Sequence, residues 1–186
     1  MNEIVREIEL RRARRALDTK PIPKEVLDRI LQAALIAPSC FNNQPWRFVV
    51  VNDRETLKSV KEYLPEGNYW ARQSPCIVCA ATEKELDCSL SGRREYALFD
   101  TGLAVENLVL QAVREGLIAH PIAGFKPVQI KELLEIPEEY VLITLVVLGY
   151  PGDPSLLSEK HRQAEAAEQE RKLREETVAF NGWSFS

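Results

Sequence analysis

A chain of 186 residues with 45% hydrophobic and 28% charged residues has the ordinary composition of a globular domain. Folding at that length buries roughly 70% of the surface of the unfolded chain, so a stable core requires neither disulfides nor a structural metal. The formal net charge of −4 argues against a general nucleic-acid-binding protein, and no apolar stretch is long enough for a transmembrane helix.

The first half of the chain is expected to contain three helices and two strands. In chain order they are a helix at 3–15, a helix at 23–37, a strand at 46–51, a helix from Asp53 to about residue 63, and a strand at 75–81. Apolar residues recur at spacings of three and four along 23–37, and prolines stand at or beside both of its ends. Asp53 has the position of a helix N-cap.

The second half is expected to contain further helices around one long strand. In chain order the elements are a helix at 94–115, a short strand-like piece around Ile118, a helix at 127–134, a strand at 140–148 and a charged helix at 155–176. Helix 94–115 is apolar around most of its circumference, which predicts a central position or a subunit interface, and Gly116 suits its C-terminal cap. Strand 140–148 is apolar on both faces. The order of elements predicts an α+β domain whose central mixed sheet is covered by helices on both faces.

The cysteines indicate a reducing environment. The first ten residues lack the positive region and apolar run of a signal peptide, so we expect a cytoplasmic protein in which Cys40, Cys76, Cys79 and Cys88 are reduced. Cys76 and Cys79 have the spacing of a redox or zinc pair, but they lie in an apolar run typical of a buried strand. Positions i and i+3 of a strand face opposite sides, so we favour a structural role. Two histidines alone cannot complete a zinc site, and no metal is expected.

A cluster of basic residues forms the end of the first predicted helix. Arg11, Arg12, Arg14 and Arg15 fall within five positions, and several guanidinium groups could hold a phosphate through paired hydrogen bonds. The alternative is an exposed helix end, where arginine complements the helix dipole. No G-x-G-x-x-G motif follows either early strand, and there is no P-loop, so any phosphate would have to be held by side chains.

An amide-rich loop joins the second helix to the first strand. Asn42, Asn43 and Gln44 are consecutive between Pro38 and Pro45. Their amides offer donors and acceptors suited to the edge of a heteroaromatic ring with imide character. Turns also favour asparagine, so an ordinary loop is the alternative interpretation.

Together these segments resemble a known family. LRRARR at 10–15 followed by APSCFNNQPWRF at 37–48, with a proline-led helix between them, resembles the opening signature of the nitroreductase family. Further segments that resemble the family follow in order at 67–75, 100–117, 121–125, 148–151 and 175–183. Each piece alone is a weak match, but their ordered combination is specific and covers nearly the whole chain.

The resemblance implies a fold, an assembly and a chemistry. It implies a three-layer sandwich formed by residues 1–186 as one domain, in an intertwined homodimer with FMN at each of two subunit interfaces. The charged helix and aromatic tail at 155–186 would pack on the partner subunit. NADH or NADPH would pass a hydride to N5 of the flavin, which would then reduce a nitroaromatic, a quinone or a similar acceptor in a ping-pong reaction. The alternatives are dehalogenation or flavin-fragmenting chemistry on the same fold, or a flavin-binding protein with little turnover.

The resemblance also assigns residues to the flavin. Arg11, Arg12 and Arg15 would hold the phosphate and the carbonyl edge of the ring, with Ala13 at a position where the family usually has serine. The partner subunit would contribute Pro38, Ser39, Cys40 and Asn42 to line the ring and the ribityl chain. In this loop Cys40 replaces the more usual serine, and Phe41 replaces a smaller residue.

The remaining assignments come from the second half of the chain and from the turn before the second strand. Asn68 would approach the pyrimidine part of the ring. The backbone N–H of Ala123 would point at N5 from a loop formed by Pro121, Ile122, Ala123 and Gly124. Arg171 and Lys172 would contact the phosphate, with Lys172 and Arg174 as a second possible pairing. No catalytic side chain is expected, because the flavin is the reactive centre.

Overall fold

The computed structural model describes residues 4–92 and 94–185. Within these residues the strands are β1 (Trp46–Val51), β2 (Cys76–Thr82), β3 (Ile118–Ile122) and β4 (Val141–Gly149). They form an antiparallel sheet in the order β1–β2–β4–β3, and helices cover both of its faces. The α-helices are α1 (Arg6–Leu10), α2 (Lys24–Leu35), α3 (Arg54–Glu62), α4 (Tyr96–Arg114), α5 (Pro127–Leu133) and α6 (Glu159–Ala166), with short 3₁₀ helices at Cys40–Asn42, Glu66–Gln73, Lys84–Leu86, Pro154–Leu156 and Arg174–Glu176.

Strand β2 is buried on both faces, and its alternating side chains divide the core into two layers. Cys79 packs in the layer covered by α3 and α5, and Cys76 packs in the layer covered by α2 and α4. Burial raises the pKa of each thiol to about 12, which disfavours the thiolate that redox or zinc chemistry needs. The structure confirms the predicted placement of these two thiols on opposite faces of a buried strand.

The strand pairs of the sheet all run antiparallel, so the prediction of a mixed sheet is wrong for the strands described in this chain. β2, α4 and β3 follow one another along the chain, an order that often joins neighbouring parallel strands. Here β4 lies between β2 and β3 and pairs with both, so the two parallel strands are not adjacent. The predicted α+β class, with helices on both faces of the sheet, is confirmed.

Two predicted helices are shorter than expected. α1 ends at Leu10, before the arginine cluster, and the predicted first residue, Glu3, lies outside the described residues. α6 ends at Ala166, and residues 167–173 form neither helix nor strand. Neither helix buries a residue, and a short helix without a buried face gains too little from its own hydrogen bonds to extend.

Helix α4, with 19 residues, packs on α2 and on the sheet. Gly116 follows it with a φ of +78°, the left-handed conformation predicted for the cap. On its outer side Leu98 and Phe99 remain 42% and 56% exposed, which leaves an apolar surface on the single chain. Among the helices of the described residues, none is long and apolar enough to cross a membrane.

Asp53 caps α3 as predicted, because its Oδ1 accepts a 2.9 Å hydrogen bond from the backbone N–H of Thr56. Replacing Asp53 with alanine removes this acceptor and is expected to lower the free energy of unfolding by about 1 kcal/mol. Urea denaturation measures the change. Asp53→Asn is the control, because it keeps a capping oxygen and should retain most of the stability. Equal stabilities of the two variants would contradict the role of the cap.

Candidate functional site

The residues after α1 cross the edge of the sheet and contact β3. The carbonyl oxygen of Arg14 lies 3.0 Å from Nδ1 of His120. Burial lowers the pKa of His120 to about 4, so the ring is neutral near pH 7 and donates its Nδ1–H to this carbonyl. The ring also stacks on Trp70, with 4.6 Å between the ring centroids. These contacts hold the arginine cluster against the core.

Arg15 is held from two sides. Its guanidinium carbon lies 5.9 Å from the centre of the Trp70 ring, within the range of a cation–π contact. Its backbone N–H donates to the carboxylate of Glu165 in α6, and the backbone nitrogen of Ala16 lies 3.4 Å from the same oxygen. Helix α6 therefore orients the end of the cluster although it buries none of its own residues.

Arg12 has a buried donor that the described residues do not satisfy. Its Nη1 is closed to solvent and has no hydrogen-bond acceptor among them. A buried charged donor without a partner is costly, and a phosphate oxygen is an acceptor that matches the guanidinium group well. Arg11 and Arg12 are half-buried, whereas Ala13 and Arg14 are exposed. The donors of the cluster therefore fit an anionic group such as a phosphate.

Asn68 and the loop after β3 are in direct contact. The side-chain nitrogen of Asn68 donates to the carbonyl of Gly124 over 2.7 Å, and a Cβ at Gly124 would lie 3.0 Å from that nitrogen. Trp70 lies two residues after Asn68 and contacts Arg15, so Asn68 and the arginine cluster lie near each other. The other residues predicted for the loop are Pro121 and Ile122, which end β3, and the exposed Ala123. The structure thus brings the arginine cluster, Asn68 and the end of β3 to one edge of the sheet.

The other predicted binding residues lie at the opposite edge. Pro38, Ser39, Cys40 and Asn42 precede β1, and β2 and β4 separate β1 from β3. Neighbouring strands are about 4.8 Å apart, so three intervals separate the two edges by roughly 14 Å. In a single chain the loop and the arginine cluster therefore lie at opposite edges of the sheet.

The loop at 39–45 has an uncommon backbone and several cross-links. Three of its residues have φ between +47° and +59°, namely Phe41, Asn42 and Gln44. Non-glycine residues rarely occupy this left-handed region. The Ser39 hydroxyl accepts a 2.9 Å hydrogen bond from the backbone N–H of Gln44. The backbone N–H of Cys40 donates to Oδ2 of Asp100 over 2.6 Å, which joins the loop to α4.

Cys40 and Cys88 form a disulfide, with their Cα atoms 6.2 Å apart. The prediction of four reduced cysteines is therefore wrong for this pair, whereas Cys76 and Cys79 are free. The two bonded residues are separated by 48 positions, and the irregular segment after β2 returns Cys88 to the loop. Composition and the expected compartment cannot reveal such a tertiary contact.

Asp87 and Asp100 are functional candidates that the sequence patterns do not single out. Asp100 is 1% exposed, and burial together with the neighbouring Asp87 carboxyl raises the pKa of its side chain. Oδ1 of Asp87 accepts hydrogen bonds from the side chain of Asn43 (3.2 Å) and from the backbone N–H of Cys88 (2.8 Å). In the sequence, Asp100 could have been identified as an aspartate within an apolar helix, since buried carboxyls need partners.

The basic residues near the C-terminus lie in an exposed segment without regular structure. Nη1 of Arg171 donates to the carbonyl of the adjacent Glu170, and Lys172 is also exposed. Their contact with a phosphate stays a prediction. Farther along, Phe180 and Trp183 are 73% and 85% exposed, an arrangement typical of a surface that binds a protein.

The chain is similar to known proteins in sequence and in structure. A family profile described as "Nitroreductase family" matches residues 8–69 and 59–150. An Archaeoglobus fulgidus protein classed as an NADH dehydrogenase/NAD(P)H nitroreductase is 36% identical over 160 residues, which cover 82% of this chain and 88% of that protein. The FMN reductase (NAD(P)H) of Bacillus subtilis is 28% identical over 194 residues, covering 96% of this chain and 78% of that protein. A solved structure described as an oxidoreductase containing FMN superimposes with a TM-score of 0.86 at 31% identity, covering 100% of this chain and 96% of the other.

Proposed function

Because the chain belongs to the nitroreductase family, we propose that it is an FMN-dependent oxidoreductase that uses NADH or NADPH to reduce a small electron-poor acceptor. Nitroaromatics and quinones are the acceptor classes that we propose. The observation that carries the proposal is the buried Nη1 of Arg12, which has no acceptor among the described residues. It belongs to a cluster of guanidinium groups that fits the phosphate of FMN. The names of the Bacillus subtilis relative and of the FMN-containing structure support the same cofactor.

The residues proposed to bind the flavin lie at the edge of the sheet that β3 forms. Arg11, Arg12 and Arg15 would bind the phosphate and the carbonyl edge of the flavin. The hydrogen bond from Asn68 to Gly124 uses the amide nitrogen and orients the side chain. The amide oxygen of Asn68 is then the atom that would accept a hydrogen bond from the imide N–H of the flavin.

FMN, when bound, would supply two-electron chemistry at N5, so the chain needs no acid–base side chain of its own. Ala123 is exposed, and its backbone N–H would donate a hydrogen bond to the reduced ring and stabilise its negative charge. The surrounding residues would orient the nicotinamide or the acceptor against one face of the ring and exclude water.

The proposed enzyme is a homodimer, because each site would use residues of two chains. One subunit would supply the arginine cluster, and its partner would supply the loop that contains Pro38, Ser39, Cys40 and Asn42. The separation of these residues at opposite edges of one sheet supports this division. Exposed apolar side chains support an interface as well, and they include Ile4, Ile8, Leu10, Phe180 and Trp183. In such a dimer the tail of 155–186 would pack on the partner and bring Arg171 and Lys172 to the phosphate.

A specialised acceptor is the second candidate, and Phe41 favours it. The Phe41 side chain is 92% exposed on the loop that would line the flavin of the partner. An aromatic ring there would narrow the space for a bulky acceptor and stack on a flat one. Mixing the pre-reduced protein with nitroaromatics, quinones and halogenated aromatics, and comparing their rates of flavin reoxidation, distinguishes general reductase activity from dehalogenation.

The purified protein is expected to be yellow or to bind added FMN with a stoichiometry of one per chain. Anaerobic addition of NADH or NADPH should then bleach the flavin absorbance within seconds to minutes, because a nicotinamide bound against the ring would pass a hydride to N5. A stopped-flow spectrophotometer measures both steps. Colourless protein that fails to bind FMN would exclude the proposed cofactor. If the flavin binds but stays oxidised with both donors, the protein is a flavin-binding protein and not a reductase.

A further inference from the structure

The Cys40–Cys88 disulfide is accessible from the surface of the chain. Both cysteines are half-buried, unlike the fully buried Cys76 and Cys79. Cys40 lines an open cavity of about 500 Å³ whose wall includes Arg94, Tyr96 and Phe99. A small reductant can therefore reach this bond, and the guanidinium of Arg94 adds positive charge that favours an approaching thiolate.

The Asp87 carboxyl stands beside the two sulfurs, and the Asp100 carboxyl is its neighbour. One oxygen of Asp87 and the sulfurs of Cys40 and Cys88 all lie within 4.8 Å of one another. Oδ2 of Asp87 is buried, and no ordinary donor among the described residues satisfies it. The neighbouring carboxyl of Asp100 can donate to it only when protonated, and burial beside Asp87 raises the pKa of Asp100 in that direction.

The same disulfide holds the strained loop at 39–45. Phe41, Asn42 and Gln44 have positive φ, and such residues persist only where surrounding contacts enforce their conformation. Two of the contacts on the N-terminal side of Phe41 are the disulfide itself and the hydrogen bond from Cys40 to Asp100. Asn43 contacts Asp87, the residue adjacent to Cys88. Loss of the covalent link would therefore release several of these restraints together.

We propose that Cys40 and Cys88 form a thiol–disulfide redox centre that exchanges with small dithiols and controls the conformation of the loop at 39–45. A thiolate of the dithiol attacks one sulfur, the Cys40–Cys88 bond breaks, and the departing sulfur takes up a proton from the solvent. The second thiol of the dithiol then displaces the remaining cysteine from the mixed disulfide. In total, two electrons and two protons pass from the dithiol to the protein, and the dithiol leaves as a cyclic disulfide. No step uses FMN, but the proposed function places this loop against the flavin of the partner. The tests below are therefore run on the protein with and without bound FMN, so that this proposal and the proposed function can fail separately.

Thiol labelling tests the redox centre on the protein as purified. The oxidised protein should incorporate no N-ethylmaleimide under native conditions, because Cys76 and Cys79 are buried. After brief treatment with dithiothreitol, removal of the reagent and labelling, mass spectrometry should find two labels per chain, at Cys40 and Cys88. Removal of the dithiol in the presence of an oxidised dithiol should restore the unlabelled state. Cys40 and Cys88 that stay unlabelled after native reduction would overturn the proposal, as would labels at Cys76 and Cys79 alone.

Limited chymotrypsin cleavage tests the control of the loop. Phe41 is almost fully exposed but lies in a restrained backbone, so the Phe41–Asn42 bond should be cut at least about tenfold faster after reduction. Cys88→Ser should be cut at the fast rate under oxidising and reducing conditions alike, and Phe41→Ser should lose this cut in both states. Equal cleavage of the oxidised and reduced native protein would overturn the proposal, and this comparison requires no variant to fold.

Discussion

Replacing Arg12 with alanine is expected to weaken the binding of FMN by about 10- to 100-fold, the loss that corresponds to one charged hydrogen-bonding partner. Arg12 has the buried donor that lacks an acceptor in the described part of the chain, so a phosphate would be its partner. The variant removes that donor together with its charge. Equilibrium titration of the apoprotein with FMN, followed by flavin fluorescence, measures the affinity.

Arg14→Ala is the matched control, because it removes the same kind of charge from the same cluster. The Arg14 side chain is exposed, and the contact of this residue with His120 uses the backbone carbonyl, which alanine retains. Its effect should be small at low salt and should vanish as ionic strength rises, whereas the loss in Arg12→Ala should persist. Equal losses in the two variants would mean that the cluster acts only through its overall charge.

The sequence predicts the local structure well where a pattern has one physical cause. The predicted strand at 46–51 coincides with β1, since an apolar run lies between Pro45 and the capping Asp53. The burial of β4 on both faces also follows from composition alone. The order of strands does not, because the insertion of β4 between β2 and β3 depends on tertiary packing of distant segments.

The candidate site is predictable to the extent that it depends on segments with a recognisable motif. The arginine cluster and the amide-rich loop are both recognisable in the sequence, since each concentrates one kind of side chain. The contact between Asn68 and Gly124 joins positions 56 residues apart, and no spacing rule predicts it. The disulfide cannot be predicted from the sequence for the same reason. Cys88 lies in a segment without periodicity, and its return to Cys40 depends on the whole intervening fold.

Helix ends show how tertiary contacts override local propensity. The segment 11–15 has residues that favour helix, yet it leaves α1 and runs along β3, where His120 and Glu165 bind its backbone. A continued helix would have satisfied its own hydrogen bonds but would have carried the guanidinium groups away from Trp70 and Asn68. The extended path therefore keeps the guanidinium groups at the proposed phosphate site, which a longer helix would not do.

Gly152→Ala is expected to lower the free energy of unfolding by about 1 to 3 kcal/mol, the usual cost of forcing extra atoms into a packed interior. A Cβ at position 152 would lie 2.4 Å from the carbonyl carbon of Leu17, so backbone would have to move. The segments are tightly paired here, because Gly152 donates to the carbonyl of Ala16 and Asp18 donates to that of Tyr150, each over 2.8 Å. Urea denaturation at matched flavin content measures the loss.

The same substitution should also weaken FMN binding, because residues 16–18 continue directly from the arginine cluster. Separation of the segment from Gly152 would displace Arg15 from the Trp70 ring that now lies 5.9 Å away. Gly67→Ala is the control: its Cβ would meet no atom within 4 Å, so its stability should stay within about 0.5 kcal/mol of the native protein. If Gly152→Ala unfolds at the same urea concentration as Gly67→Ala, the close backbone approach at Leu17 does not exist in solution. Residues 150–152, which follow β4, then do not anchor the cluster.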